Sequence, residues 1–190
     1  MQRRIALIDG HPDGDPKRFV HALAEAYEAG ALAAGHQVRR ITLAGLDFPL
    51  LRTATDFQQG TPPQVIRDCQ ATLAWAQHWV ILYPLWLGSM PALLKGFFEQ
   101  VGRPGFAFRE ARGRGLPRKL LAGRSARVVV TMGMPGLFYR WYYRAHSLNI
   151  LAFVGISPVH ASIIGMVEGV SAAKRAKWLR QMNSLGARGN

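Results

Sequence analysis

Short apolar runs recur along this chain, and stretches of helical spacing separate them. Arg4 to Asp9 (RIALID), Trp79 to Tyr83 (WVILY) and Ala126 to Thr131 (ARVVVT) lack the alternation of a half-exposed strand. They predict strands covered on both faces, as in a parallel sheet. Gln37 to Leu43 and Ser157 to Ile164 read as two more strands. Phe19 to Ala34 sets Phe19, Leu23, Ala26, Tyr27 and Leu32 at helical spacing and stops at Gly35. Pro62–Pro63 open a second helix running through Trp75. A third opens at Met90–Pro91, with Ser89 as N-cap, Gly102 as the C′ residue and Pro104 blocking continuation. Leu46 to Gly60 reads as an irregular connection, Leu137 to about Leu151 as a helix, and Gly169 to Leu185 as a basic amphipathic helix. Five strands alternating with helices predict an α/β fold, a parallel sheet of order 2-1-3-4-5 with helices on both faces. A length of 190 residues predicts a single domain, residues 1–190.

In an open parallel sheet, ligands bind beyond the carboxyl ends of the strands. Three loops there carry the candidate chemistry. The first, Gly10 to Phe19 (GHPDGDPKRF), joins the first strand to the first helix. Backbone N–H groups and the positive helix end suit a phosphate. Asp13 or Asp15 is expected to cap that helix, with Lys17 or Arg18 neutralising the anion; a plain Asp-capped helix start fits the same residues. The second, Pro84–Leu85–Trp86–Leu87–Gly88, follows the central strand and sets an indole between proline and glycine punctuation. Trp86 is read as lining a ligand, whereas Phe97 and Phe98, on a helix, are read as core. The third is Thr131–Met132–Gly133–Met134–Pro135–Gly136. A simple glycine turn is the alternative there for Met132 and Met134.

Composition narrows the classes. Hydrophobic residues make up 49% and mean hydropathy is +0.02, which is globular rather than disordered. No apolar run is long enough to span a bilayer, and no secretory signal is recognisable, so cytoplasm is the expectation. The lone Cys69 is read as structural, and the histidines show no metal-ligand spacing. Twenty-four basic residues against eleven acidic ones give a net charge of +13 and a pI near 11.0. Many of the cations fall between Arg103 and Arg127, including Arg109, Arg112, Arg114, Arg118, Lys119 and Arg124. That stretch reads as a rim for the phosphates of a pyridine nucleotide, a docking face for an acidic protein or a membrane surface, or a solvated loop. No nucleic-acid-binding motif accompanies the charge, so no specific nucleic acid is expected.

The segment PLWLGSMPALLKGFFEQV followed by RPGFAF resembles the flavin loop of the NAD(P)H:quinone oxidoreductase family. The likeness extends more loosely over nearly the whole chain. It implies a flavodoxin-like three-layer fold and a flavin cofactor, FMN or FAD. It also implies a ping-pong reaction in which hydride passes from NAD(P)H to a quinone or similar acceptor. On this resemblance Pro84, Leu85, Trp86, Leu87 and Gly88 meet the isoalloxazine, and Thr131, Met132 and Gly133 its edge. His11, Lys17, Arg18 and Phe19 surround its phosphate. Tyr139 and His146 would stabilise charge during hydride transfer. A homodimer is implied, with Leu94, Phe98 and the Phe106–Phe108 segment as candidates for its face. The sequence departs from the family at Asp13 and Asp15, and the stretch from His146 to Gly155 is shorter. Those departures motivate an alternative: a flavodoxin-like regulatory or binding subunit with little turnover, docking through its arginines.

Overall fold

The structure, a computed structural model, describes residues 1–111, 115–137 and 150–190. Five strands form one parallel sheet: β1 (Arg4–Asp9), β2 (Gln37–Thr42), β3 (His78–Pro84), β6 (Ser125–Thr131) and β7 (Val159–Ile164). Their order is β2-β1-β3-β6-β7, the 2-1-3-4-5 arrangement of a flavodoxin-like fold. Helix α1 (Phe19–Ala33) and the last helix, α5 (Ala172–Ala187), cover one face; α3 (Gln64–Trp75) and α4 (Ala92–Val101) cover the other.

Alternation along each strand divides the core between the faces. Ile5, Leu7, Val80, Leu82 and Val129 pack beneath α1 and α5, against Leu23, Tyr27 and Met182. Ala6, Ile8, Ile81, Tyr83 and Val128 pack on the opposite side, against Ile66, Leu73, Leu94 and Phe97. Because both faces are buried, these strands needed no polar positions, which is why they read as unbroken apolar runs. α1 and α5 cross at backbone contact. A Cβ at Gly30 would collide with the Asn183 carbonyl, and one at Gly186 with the Tyr27 carbonyl. α1 ends in a Schellman motif: Gly35, at φ 80°, donates to Leu32 O and His36 donates to Ala31 O.

Several expectations are corrected. Pro91, not Ser89, is the N-cap of α4, because Ser89 is consumed in a turn with Trp86. Gly102 sits at that helix's C-cap with φ −77°, so no left-handed cap forms there. The region expected to be irregular contains α2 (Ala54–Gln59), capped by Thr53, whose side chain accepts from the Asp56 N–H. Phe97 is buried as read, while Leu94 is also wholly buried and is removed from any candidate interface. The basic segment carries a small hairpin of β4 (Phe108–Arg109) and β5 (Arg118–Lys119). Several of its cations serve the fold. Arg103 donates to the carbonyls of Asp56 and Gly60, Arg124 to those of Ala74 and Ala76, and Lys119 to that of Ala152. Cys69 is buried, and that burial, with Asp68 nearby, pushes its thiol up to about 11. Among the described residues, no helix is long and apolar enough to cross a membrane, and no His/Cys/Asp/Glu group could hold a metal ion.

Candidate functional site

The strands β1, β3 and β6 end at one rim, and their loops build the site. After β3 the chain turns sharply. Trp86 N–H donates to Ser89 O (2.9 Å) and Ser89 N–H to Trp86 O (3.0 Å). The two central residues, Leu87 at φ 46° and Gly88 at φ 80°, both take positive φ, as in a type I′ turn. Glycine accepts that conformation freely, whereas a leucine there costs about 1–2 kcal/mol. The turn lifts Trp86 away from the core, leaving it 48% exposed, with Leu87 fully exposed at the tip. His11 lies edge-on to the indole, ring centroids 6.1 Å apart at 85°.

Two concavities flank this turn. One, of about 430 Å³, is lined by His11, Lys17, Arg18, Phe19, Pro84, Trp86 and Thr131 among others. The second, of about 450 Å³, is lined by Leu85, Leu87, Gly88, Met132, Gly133 and Met134. The structure therefore brings the loop residues singled out from sequence to one end of the sheet. Tyr139 and His146 lie outside the described residues. None of the described cations between Arg103 and Arg127 lines either concavity.

The β1–α1 loop is organised differently from expectation. Neither Asp13 nor Asp15 caps α1. Each instead folds back on a backbone N–H two residues on, Asp13 Oδ1 accepting from Asp15 and Asp15 Oδ1 from Lys17. The N-cap is Arg18, with no side-chain cap bond, so the first amides of α1 are left without one. Arg18 lines the cavity, and its guanidinium pairs with Asp13 at 2.7 Å and lies 3.9 Å from Asp15. The N–H of Asp15, then the Arg18 guanidinium, hold the Asp13 carboxyl below the usual range. Lys17 forms no ion pair among the described residues, and Arg175, arriving from α5, lines the same cavity with its guanidinium donating to Val167 O. Lys17, Arg175 and the N-terminus of α1 bring positive charge to a cavity that the carboxylates of Asp13 and Glu168 also line.

Beneath the loop lies a buried ionic group that sequence reading missed. Asp9 is wholly buried at the end of β1, and its Oδ2 accepts from Arg40 (2.6 Å) and from His21 Nδ1 (2.7 Å). The other ring nitrogen, His21 Nε2, faces the Asp13 carbonyl at 2.9 Å. Both nitrogens meet acceptors, so His21 satisfies both by donating twice, as an imidazolium. Burial alone would lower its pKa, but the Asp9 carboxylate and the Asp13 carbonyl outweigh that and raise it. His11 behaves oppositely: burial first, then the charge of His21, lowers its pKa. Its Nδ1 accepts from Asp13 N–H, so the neutral ring carries its proton on Nε2. A signal existed: an aspartate ending an otherwise apolar buried strand requires a buried partner.

On the β6 side, Met132 N–H is taken by Ile164 O and Val167 N–H by Met132 O. This zips the Thr131 loop to the chain leaving β7, and it brings in Val167 and Glu168, which sequence reading did not single out. Met132 is packed in the core and also borders the second concavity.

A family model of the flavodoxin-like fold matches residues 3–185. The chain belongs to the flavodoxin-like fold family. Among curated relatives of this family member is an uncharacterized NAD(P)H oxidoreductase of Haemophilus influenzae, 25% identical over 168 residues, spanning 84% of this chain and 82% of that protein. Among solved structures, an NAD(P)H:quinone oxidoreductase from Methanothermobacter marburgensis superposes with a TM-score of 0.80 at 22% identity, over 100% of both chains. An FMN-dependent NADH-azoreductase from Bacillus anthracis, in complex with FMN, gives 0.75 at 15% identity over 99% of both. At such identities the two superpositions speak to the fold.

Proposed function

We propose that this chain is a flavin-dependent NAD(P)H oxidoreductase that passes hydride, by a ping-pong route, to a quinone-like acceptor. The observation that carries this reading is the turn at Trp86, which stands an indole at the rim beside a cavity that Lys17 and Arg175 line. The residues present fit a flavin mononucleotide. The uncapped amides of α1, Lys17 and Arg175 suit its phosphate. Trp86, Leu87 and Gly88 offer a platform for a planar ring, and Gly133 and Met134 border the second concavity, where the acceptor would enter. Bound flavin supplies the two-electron chemistry. The protein's share is to hold it, to shield one side of the ring with the Trp86 turn, and to set positive charge beneath the loop through His21. His11 Nε2–H is a donor available at the rim. The names of the Haemophilus, Methanothermobacter and Bacillus proteins support the reading. A homodimer through the aromatic row Phe57, Phe108 and Phe153, with Phe153 54% exposed, extends it.

Flavin titration followed by absorbance, then turnover with NADH or NADPH and a benzoquinone, tests the proposal. FMN is expected to bind at least about tenfold tighter than riboflavin, the phosphate making the difference. Trp86→Ala should weaken both flavins about three- to tenfold, consistent with loss of one aromatic contact. A protein whose spectrum is unchanged by FMN or FAD would overturn the reading.

A further inference from the structure

Helix α5 borders two cavities. Its Arg175 lines the one described above, whereas Trp178, Ser184, Leu185 and Arg188 line another of about 400 Å³, against the edge strand β7. Arg127 from β6 also lines this second cavity. Its Nη1 donates to Ser162 Oγ at 2.9 Å, and Arg188 Nη1 donates to Ser184 Oγ at 2.6 Å. The two guanidinium groups are thus oriented by neutral hydroxyls, not by carboxylates.

No acid compensates them. All eleven acidic residues of the chain lie among the described residues, and none forms an ion pair with Arg127 or Arg188. Arg127 is half-buried and its Nε is buried without a partner among the described residues, a costly state for a charged group. The surroundings are positive as well. Arg127 pairs in register with His160 across β6 and β7. Burial first, then Arg3, Arg127 and His160, hold the buried His78 down to about 4. An arginine cluster of this kind, beside an indole and a leucine, matches a ligand with an anionic head and an apolar body.

We propose that the cavity between β7 and α5 binds a small amphiphilic oxyanion, its carboxylate or phosphate head on Arg127 and Arg188 and its apolar body against Trp178 and Leu185. The site is separate from the flavin cavity and stands whether or not the redox reading does.

Two-dimensional ¹H–¹⁵N spectra of the full chain, at constant ionic strength set with chloride, test it with three probes: 2-naphthoate, 2-naphthyl phosphate and inorganic phosphate. Saturable shifts are expected at the Trp178 indole N–H and at the Ser162 and Ser184 amides, with a naphthyl probe binding about tenfold tighter than inorganic phosphate. The tighter of the two naphthyl probes identifies the head group. Arg188→Gln, at the exposed C-cap of α5, keeps the backbone cap bonds and should weaken binding about tenfold; Arg127→Gln should abolish saturation. Absence of saturation with all three probes overturns the site. So does unchanged affinity in both variants, or saturable shifts confined to His11, Trp86 and Thr131. Equal affinity for inorganic phosphate overturns the apolar half of the proposal.

Discussion

His21 concentrates the chemistry of this chain at a single residue. Its ring is fixed between Asp9 and the Asp13 carbonyl, where its positive charge offsets the buried Asp9 carboxylate beneath the β1–α1 loop. The folded protein holds the His21 proton more tightly than the unfolded chain does. The resulting stability is therefore complete below pH ~6.5 and is lost as pH rises through the raised folded value. His21→Leu removes the charge and frees the Asp13 carbonyl, leaving Asp9 with Arg40. It should cost about 2 kcal/mol in urea unfolding at pH 6. That deficit should shrink by pH 9, whereas a role in packing alone would leave it constant.

At the scale of elements, α1 and α5 meet through glycines where any side chain would strike backbone. Gly30→Ala must push the helices apart, and it should lower stability by about 1–3 kcal/mol despite alanine's better helix propensity, as thermal unfolding would show. The sheet was legible because doubly buried strands leave apolar runs in any register, and the order 2-1-3-4-5 is one of the common arrangements for five strands alternating with helices. The Trp86 turn was legible because indole, glycine and proline coincide within a few residues. α2 and the β4–β5 hairpin were not, since elements of six and two residues leave no period to read. The cap of α1 was misread for a different reason. Asp13 and Asp15 have the chemistry of caps but sit upstream, where an Asx turn at each aspartate satisfies it before the helix begins. The Asp9–His21–Arg40 group joins residues from β1, α1 and β2, and a pairing set by tertiary packing has no local signature.

For the molecule as a whole, the buried histidines pull stability in opposite directions. His78, on β3 with its Nδ1 against Ser125 Oγ, is held neutral, mainly by burial and then by Arg3. The unfolded chain takes up a proton on this ring near pH 6.5, while the folded one resists until about 4. Stability should therefore fall with acidification across that interval, by about 3 kcal/mol from this group alone. His78→Gln should flatten the acid limb, and His21 variants the alkaline one, so the stability profile of the native chain should peak near neutral pH in denaturant titrations. One further consequence follows from the glycine crossing. α1 and α5 touch backbone to backbone in their C-terminal halves, and that contact fixes the pairing of two helices whose opening turns, with Arg175 on one of them, border the same cavity. The oxyanion site proposed there should accordingly capture anions faster as ionic strength falls, under the long-range pull of a +13 chain, which stopped-flow mixing across a salt series would show.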